Sequence, residues 1–148
     1  VLFLPEIYNY ELFETYLPGS FWNPTSNINI STDFEPFKGR TKYAEQTAGG
    51  FYATRLGMLE YLNKIKRQGA CLVVRIETPD YYLSLGVWVV REAMRKTLMN
   101  KPLEFNDKIK ALEFFKKSIF DKFKLNISKT LDNSKLLDVI KQKKIFDF

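Results

Sequence analysis

The spacing of apolar and polar residues divides the chain into short segments. Val1–Leu4 is an apolar run stopped by Pro5 and reads as a short buried strand. Tyr10 to Leu17 carries apolar residues at helical spacing and ends at Pro18-Gly19, which predicts a short helix. Asn27 to Ile30 predicts an edge strand, and Ser31 to Thr41 a loop that bends at Gly39. Phe51, Ala53, Leu56, Leu59, Leu62 and Ile65 give the strongest helical period, after Gly49-Gly50 and before Gly69. Ala70 to Ile76 is a short β-rich run suited to a central strand, broken by Thr78-Pro79-Asp80. Val87, Val90, Met94 and Leu98 predict a second helix. Asn106 or Asp107 can cap a third, with Ile109, Leu112, Phe115 and Ile119 on one face. Ser134 can cap a last one, with Leu136, Leu137 and Ile140.

A strand between two amphipathic helices predicts a mixed α/β fold, a small sheet flanked by helices, with a helical C-terminal segment. The expected organisation is an α/β core over 1–100, a helical extension over 101–141 and a tail over 142–148.

Composition narrows the chemistry. Across 148 residues there is no His and only one Cys, Cys71. Imidazole catalysis, a His metal site, an internal disulfide and a cysteine zinc site are all excluded within the chain. No apolar run approaches the roughly 18 residues of a membrane helix, and no signal peptide is recognisable, so a cytoplasmic location is expected. A start at Val rather than Met suggests a fragment or a processed end.

The net charge of +6 is unevenly placed. Residues 1–37 hold five acids and no base, and all six arginines lie within 38–96. The last third is basic through Lys alone. Guanidinium forks suit carboxylate or phosphate, whereas Lys suits a hydrated surface. The middle segment could therefore bind an anion. Equally, each Arg could pair with a nearby carboxylate such as Glu45, Glu60, Glu77 or Glu92.

Three clusters carry candidate chemistry. Gly39-Arg40-Thr41-Lys42 leads into Gly49-Gly50 and a helix bearing Arg55, where glycines and a helix N-terminus would favour an anion. The spacing is not that of a P-loop, and a Gly-hinged loop packed closely on the sheet reads equally well. Arg75-Ile76-Glu77-Thr78-Pro79-Asp80 falls at the C-terminal end of the predicted strand, where α/β folds gather ligands. Arg91 and Arg95 share a helix face near Trp88. An enzyme built from these would hold phosphate with Arg40, Lys42, Arg55, Arg75 and Arg91. Glu45, Glu77 or Asp80 would then carry a proton or a divalent metal such as Mg²⁺. A Lys-rich end could also touch DNA directly, although Asp121, Asp132 and Asp138 interrupt it.

The tail is a different kind of candidate. Gln142, Ile145 and Phe148 sit three apart, a spacing that eclipses on a 3₁₀ turn, with Phe146 between them. This looks like the PIP box that docks on the replication sliding clamp. It departs from the usual motif in having one aromatic, Phe148, where two adjacent ones are expected.

Longer motifs suggest a family. They are Phe3-Leu4-Pro5, Tyr10-Glu11-Leu12, Pro18-Gly19, Trp22-Asn23, Gly39 to Glu45, Gly49 to Leu56, Leu59 to Leu62, Arg67-Gln68, Thr78 to Tyr81 and Gly86 to Glu92. Together they resemble the archaeal Nre family of proteins associated with DNA repair, and the chain resembles the C-terminal part of its longer members. The resemblance implies a DNA-damage-response role and binding to the sliding clamp (PCNA) through Gln142, Ile145, Phe146 and Phe148. It leaves open whether the protein is an enzyme and whether DNA or a nucleotide is a partner. The family's upstream cysteine segment has no counterpart in these residues, so no metal role is carried over.

Overall fold

A computed structural model of the chain describes residues 1–83 and 85–142. Ile145, Phe146 and Phe148 lie outside these residues. A four-stranded mixed sheet runs in the order β1-β4-β2-β3, formed by Leu2–Leu4 (β1), Asn9–Tyr16 (β2), Asn29–Glu35 (β3) and Ala70–Glu77 (β4). The two central strands, β2 and β4, are parallel, with Asn9 opposite Ala70 and Tyr16 opposite Glu77. Both edge strands are antiparallel to their neighbours. The mixed α/β fold expected from the sequence is the fold observed.

Helices cover both faces. On the first, α1 (Ala48–Ile65) and α2 (Trp88–Leu98) pack together. Phe51, Met58, Leu62 and Met94 meet Tyr10, Leu12, Cys71 and Val73 of the sheet in one core cluster. On the second, α3 (Lys108–Phe123), α4 (Ser128–Leu131) and α5 (Lys135–Lys141) bury Phe115, Ile119, Leu131 and Leu136 against Leu2, Leu4, Phe13 and Leu72. The strands supply both clusters because successive side chains point to opposite faces.

Two expectations are corrected. Tyr10 to Leu17 is not a helix; its residues to Tyr16 belong to β2. Seven of the eight β2 residues are buried because both faces are covered, so apolar residues occur at both parities and the period of two disappears. Ser31–Glu35 is not loop but the greater part of β3. Ile30, Thr32 and Phe34 alternate with Ser31, Asp33 and Glu35, as an edge strand requires.

The predicted helices are present. α1 starts at Ala48, so Gly49 and Gly50 lie in its first turn. Asp107 caps α3 by accepting from the Ile109 and Lys110 amides, and Ser134 caps α5 by accepting from the Leu137 amide. Among the described residues no helix is long and apolar enough to cross a membrane.

Candidate functional site

The acidic opening of the chain neutralises three of the six arginines of its middle. Asp33 pairs with Arg40 at 3.2 Å, Glu35 with Arg55 at 2.7 Å, and Glu14 with Arg75 at 3.3 Å. All three carboxylates are buried and project from β2 or β3. Glu14, Asp33 and Glu35 alternate with residues of the opposite core, which directs them toward α1.

Arg40 is fully engaged. It donates to the carbonyls of Phe34, Lys42 and Tyr43 while facing Asp33 and the Phe51 ring. Asp33 in turn accepts from the amides of Glu45, Gln46 and Thr47 and from the Thr47 hydroxyl. Burial opposes its charge, but these donors outweigh it and hold the carboxyl below its ordinary pKa. The segment entering α1 is thereby pinned to the edge strand. Lys42 and Glu45 are exposed. Arg40 and Glu45 border a second cleft of about 240 Å³ that also includes Asp33 and Lys135.

Arg55 is held by Glu35, which also accepts from the Tyr8 hydroxyl at 3.3 Å. Burial first, then Glu35, pushes Tyr8 up to about 12. Arg91 bonds to Glu92 on the surface of α2, and Arg95 bridges Glu60 and Glu92. Asp80 is exposed and accepts from the Thr78 hydroxyl.

Arg75 and Glu77 pair at a distinctive place. They stand at the carboxyl end of the parallel pair β2–β4, where open α/β sheets collect ligands. A cleft of about 290 Å³ opens there. Glu14, Tyr16 and Arg75 reach it from the strands, Gln46–Gly50 from the start of α1, and Trp22 and Tyr81 from the loops. Arg75 donates to Glu14 Oε1 at 3.3 Å and to Glu77 Oε2 at 3.0 Å. Glu77 Oε1 accepts from the Trp22 amide. The Tyr16 hydroxyl donates to Glu14 Oε2 at 2.9 Å.

The charge states follow from this packing. Burial raises the pKa of Glu14 despite Arg75 and the Tyr16 hydroxyl. Burial and then the Glu14 charge raise that of Tyr16, which therefore remains a hydroxyl donor. Gly50 permits the arrangement: a Cβ there would lie 1.9 Å from Glu14 Oε1. A Cβ on Gly49 would lie 2.6 Å from Val87 Cγ1. The close packing weighed from the sequence for a loop occurs instead at two glycines in the first turn of α1, while Gly39 has open space around it. The anion at that first turn is the protein's own Glu14.

Arg40, Arg55 and Arg91 stand in separate ion pairs away from this cleft, Asp80 does not line it, and Glu77 bears on it through its bond to Arg75. No group of three His, Cys, Asp or Glu suited to a metal occurs among the described residues. The residues that sequence reasoning missed are Glu14, Tyr16, Trp22, Asp33 and Glu35. Their signal was the acidic opening stretch, whose charge is complementary to the arginine-bearing middle.

The fold and cleft define a mixed α/β protein with helices on both faces of the sheet and a polar cleft beyond its parallel strands. The domain described as "Archaeal Nre, C-terminal" matches residues 35–148, and the chain belongs to the archaeal Nre family. It is 35% identical over 144 residues to DNA repair protein NreB of Archaeoglobus fulgidus, covering 97% of this chain and 36% of that protein. It is 42% identical over 105 residues to DNA repair protein NreA of the same organism, covering 71% of this chain and 26% of NreA. DNA repair protein NreA of Haloferax volcanii is 41% identical over 97 residues, covering 64% of this chain and 23% of the relative. The chain therefore spans about a quarter to a third of the length of these relatives. No solved structure matches it.

Proposed function

We propose that this chain acts in DNA repair as an Nre-type factor tethered to the replication sliding clamp through residues 142–148. The observation that carries the repair role is family membership, with relatives named DNA repair proteins. Two features support the tether. The family match runs through residue 148, so the tail belongs to the matched region. α5 ends at Lys141, and Gln142 is exposed with extended backbone at ψ 130°.

In this reading Ile145 and Phe148 enter the hydrophobic groove of the clamp, Phe146 adds contact area and Gln142 adds a polar contact. Lys141, Lys143 and Lys144 speed the encounter with an acidic surface. The test is a pull-down with the cognate clamp using the full chain and a chain ending at residue 141. Capture by the full chain and its loss on truncation, with unchanged circular dichroism, is the expected result. Equal capture by both chains overturns the assignment.

A further inference from the structure

The cleft at the end of β2 and β4 plays no part in the tether, yet it has a built polar floor. We infer that it receives an unpaired guanine base. The inference takes its ligand class from the DNA-repair reading and its choice of base from the geometry.

Phosphate fits poorly. The first turn of α1 already faces the Glu14 carboxylate, and Arg75 is shared between two buried carboxylates, Glu14 and Glu77. The local balance of two acids to one base repels a second anion. A divalent cation would have to compete with Arg75 for both carboxylates, with no third acidic ligand grouped there among the described residues. A neutral planar group that presents N–H donors meets neither obstacle.

The volume and rim fit the same ligand. About 290 Å³ lies at the small end of ligand sites and suits one base with its sugar. Trp22, 58% exposed, and Tyr81 offer aromatic surface for stacking. Each Glu14 oxygen accepts one bond from the protein and keeps capacity for another. Guanine carries two adjacent donors, N1–H and the N2 amino group, that match a carboxylate. Its O6 and N7 accept from a guanidinium, which has five N–H donors and spends one on each of Glu14 and Glu77. Adenine and cytosine set a donor beside an acceptor on that edge, and thymine sets one donor between two acceptors. A base read on its pairing edge must be single-stranded or extruded from the duplex.

The test is calorimetric titration of the full chain with guanosine 5′-monophosphate, thymidine 5′-monophosphate and inorganic phosphate. Saturable binding of the guanine nucleotide, at least tenfold tighter than the thymine nucleotide, is expected, with no heat from phosphate. Trp22→Ala should weaken it roughly tenfold, the loss of one stacking contact. Trp88→Ala, on an exposed residue outside the cleft, should leave it unchanged. Glu14→Gln, checked for folding by circular dichroism, should erase the preference for guanine. Equal affinity for both nucleotides, competition by phosphate, or equal effects of the two Trp variants overturn the inference. The same preparations are assayed for clamp capture. Capture without guanine binding refutes the base site alone, and guanine binding without capture refutes the tether alone.

Discussion

Replacing Glu11 with Ala removes the contact that fixes α5, the helix leading into the tail, to the centre of the sheet. The carboxylate is fully buried on β2. It accepts from the Ser134 hydroxyl at 2.5 Å and from the Lys135 and Leu136 amides at 3.1 Å each. These amides open α5, where backbone donors have no intrahelical partner. Hydrogen bonds to a charged group contribute about 1.5–3 kcal/mol each, and an abandoned buried donor costs about 1–3 kcal/mol. Three such bonds do not add fully. Burial also raises the Glu11 pKa, ahead of the opposing pull of Ser134 and the two amides, so removing the charge returns part of its desolvation cost. The expected net loss is about 3 kcal/mol, a large share of the roughly 5–15 kcal/mol that stabilises a domain. Glu11→Gln keeps an acceptor oxygen and should cost about 1–2 kcal/mol. Ser134→Ala removes the cap and should cost about 1 kcal/mol. In urea unfolding, the double Ala variant should lose less than the sum of the singles, because the two side chains share a bond. A loss below about 1 kcal/mol for Glu11→Ala, or full additivity, refutes the reasoning.

Other outcomes follow from the buried groups. Gly50→Ala places a methyl 1.9 Å from Glu14 Oε1. It should destabilise by about 1–3 kcal/mol despite better helix propensity, and the penalty should vanish on a Glu14→Ala background. A cost that persists there locates the clash elsewhere. Glu11 and Glu14 both have pKa values raised by burial, so the folded state holds their protons more tightly than the unfolded state. Stability should therefore fall as pH rises from about 4.5, the ordinary value, and level off once both ionise. Urea midpoints against pH should show this decline, reduced in Glu14→Gln; a rise over the same window contradicts it. Cys71 is buried and its thiol is pushed up to about 12 by burial. A thiol reagent at pH 8 should label it only as fast as the protein opens, and rapid labelling of the native state contradicts the packing.

α1, α2, α3 and α5 were legible from apolar residues at helical spacing, but the short α4 was not. In α1 the buried face runs through Phe51, Thr54, Gly57, Met58 and Leu62, while Leu56 and Ile65 of the expected stripe are exposed. Of the two candidate caps Asn106 and Asp107 it is Asp107 that caps α3, and Ser134 caps α5 as its position predicts. β4 was legible from Ala70–Ile76 because a buried parallel strand is a short apolar run. β2 was not, because Tyr10 and Leu12 face one core, Phe13 faces the other, and Glu11 and Glu14 are buried on opposite faces. Charged residues in a doubly covered strand contradict the ordinary preference of such residues for water. Tyr10, Phe13, Thr15 and Tyr16 do favour strands, and that propensity was the available signal. β3 was hidden by polar side chains, although its alternation was regular. The cleft was half legible: Arg75 and Glu77 announce themselves at a strand end. Glu14, Tyr16 and Trp22 join them only through the parallel pairing of β2 with β4, a long-range fact that local spacing does not carry. Arg40 and Arg55 looked like an anion site because their partners, Asp33 and Glu35, lie on β3, whereas the partner of Arg91 is its neighbour Glu92. Asp33, Glu35 and Glu92 already neutralise their charge.

The tether is the central functional claim, and the most direct measurement is the affinity of the full chain for its cognate sliding clamp with Ile145 and Phe148 intact or changed to Ala. A buried hot-spot side chain costs about 2 kcal/mol or more on truncation, which is roughly thirtyfold. Ile145→Ala and Phe148→Ala should each weaken binding by about that factor while thermal unfolding stays unchanged. Unaltered affinity in both variants contradicts the account.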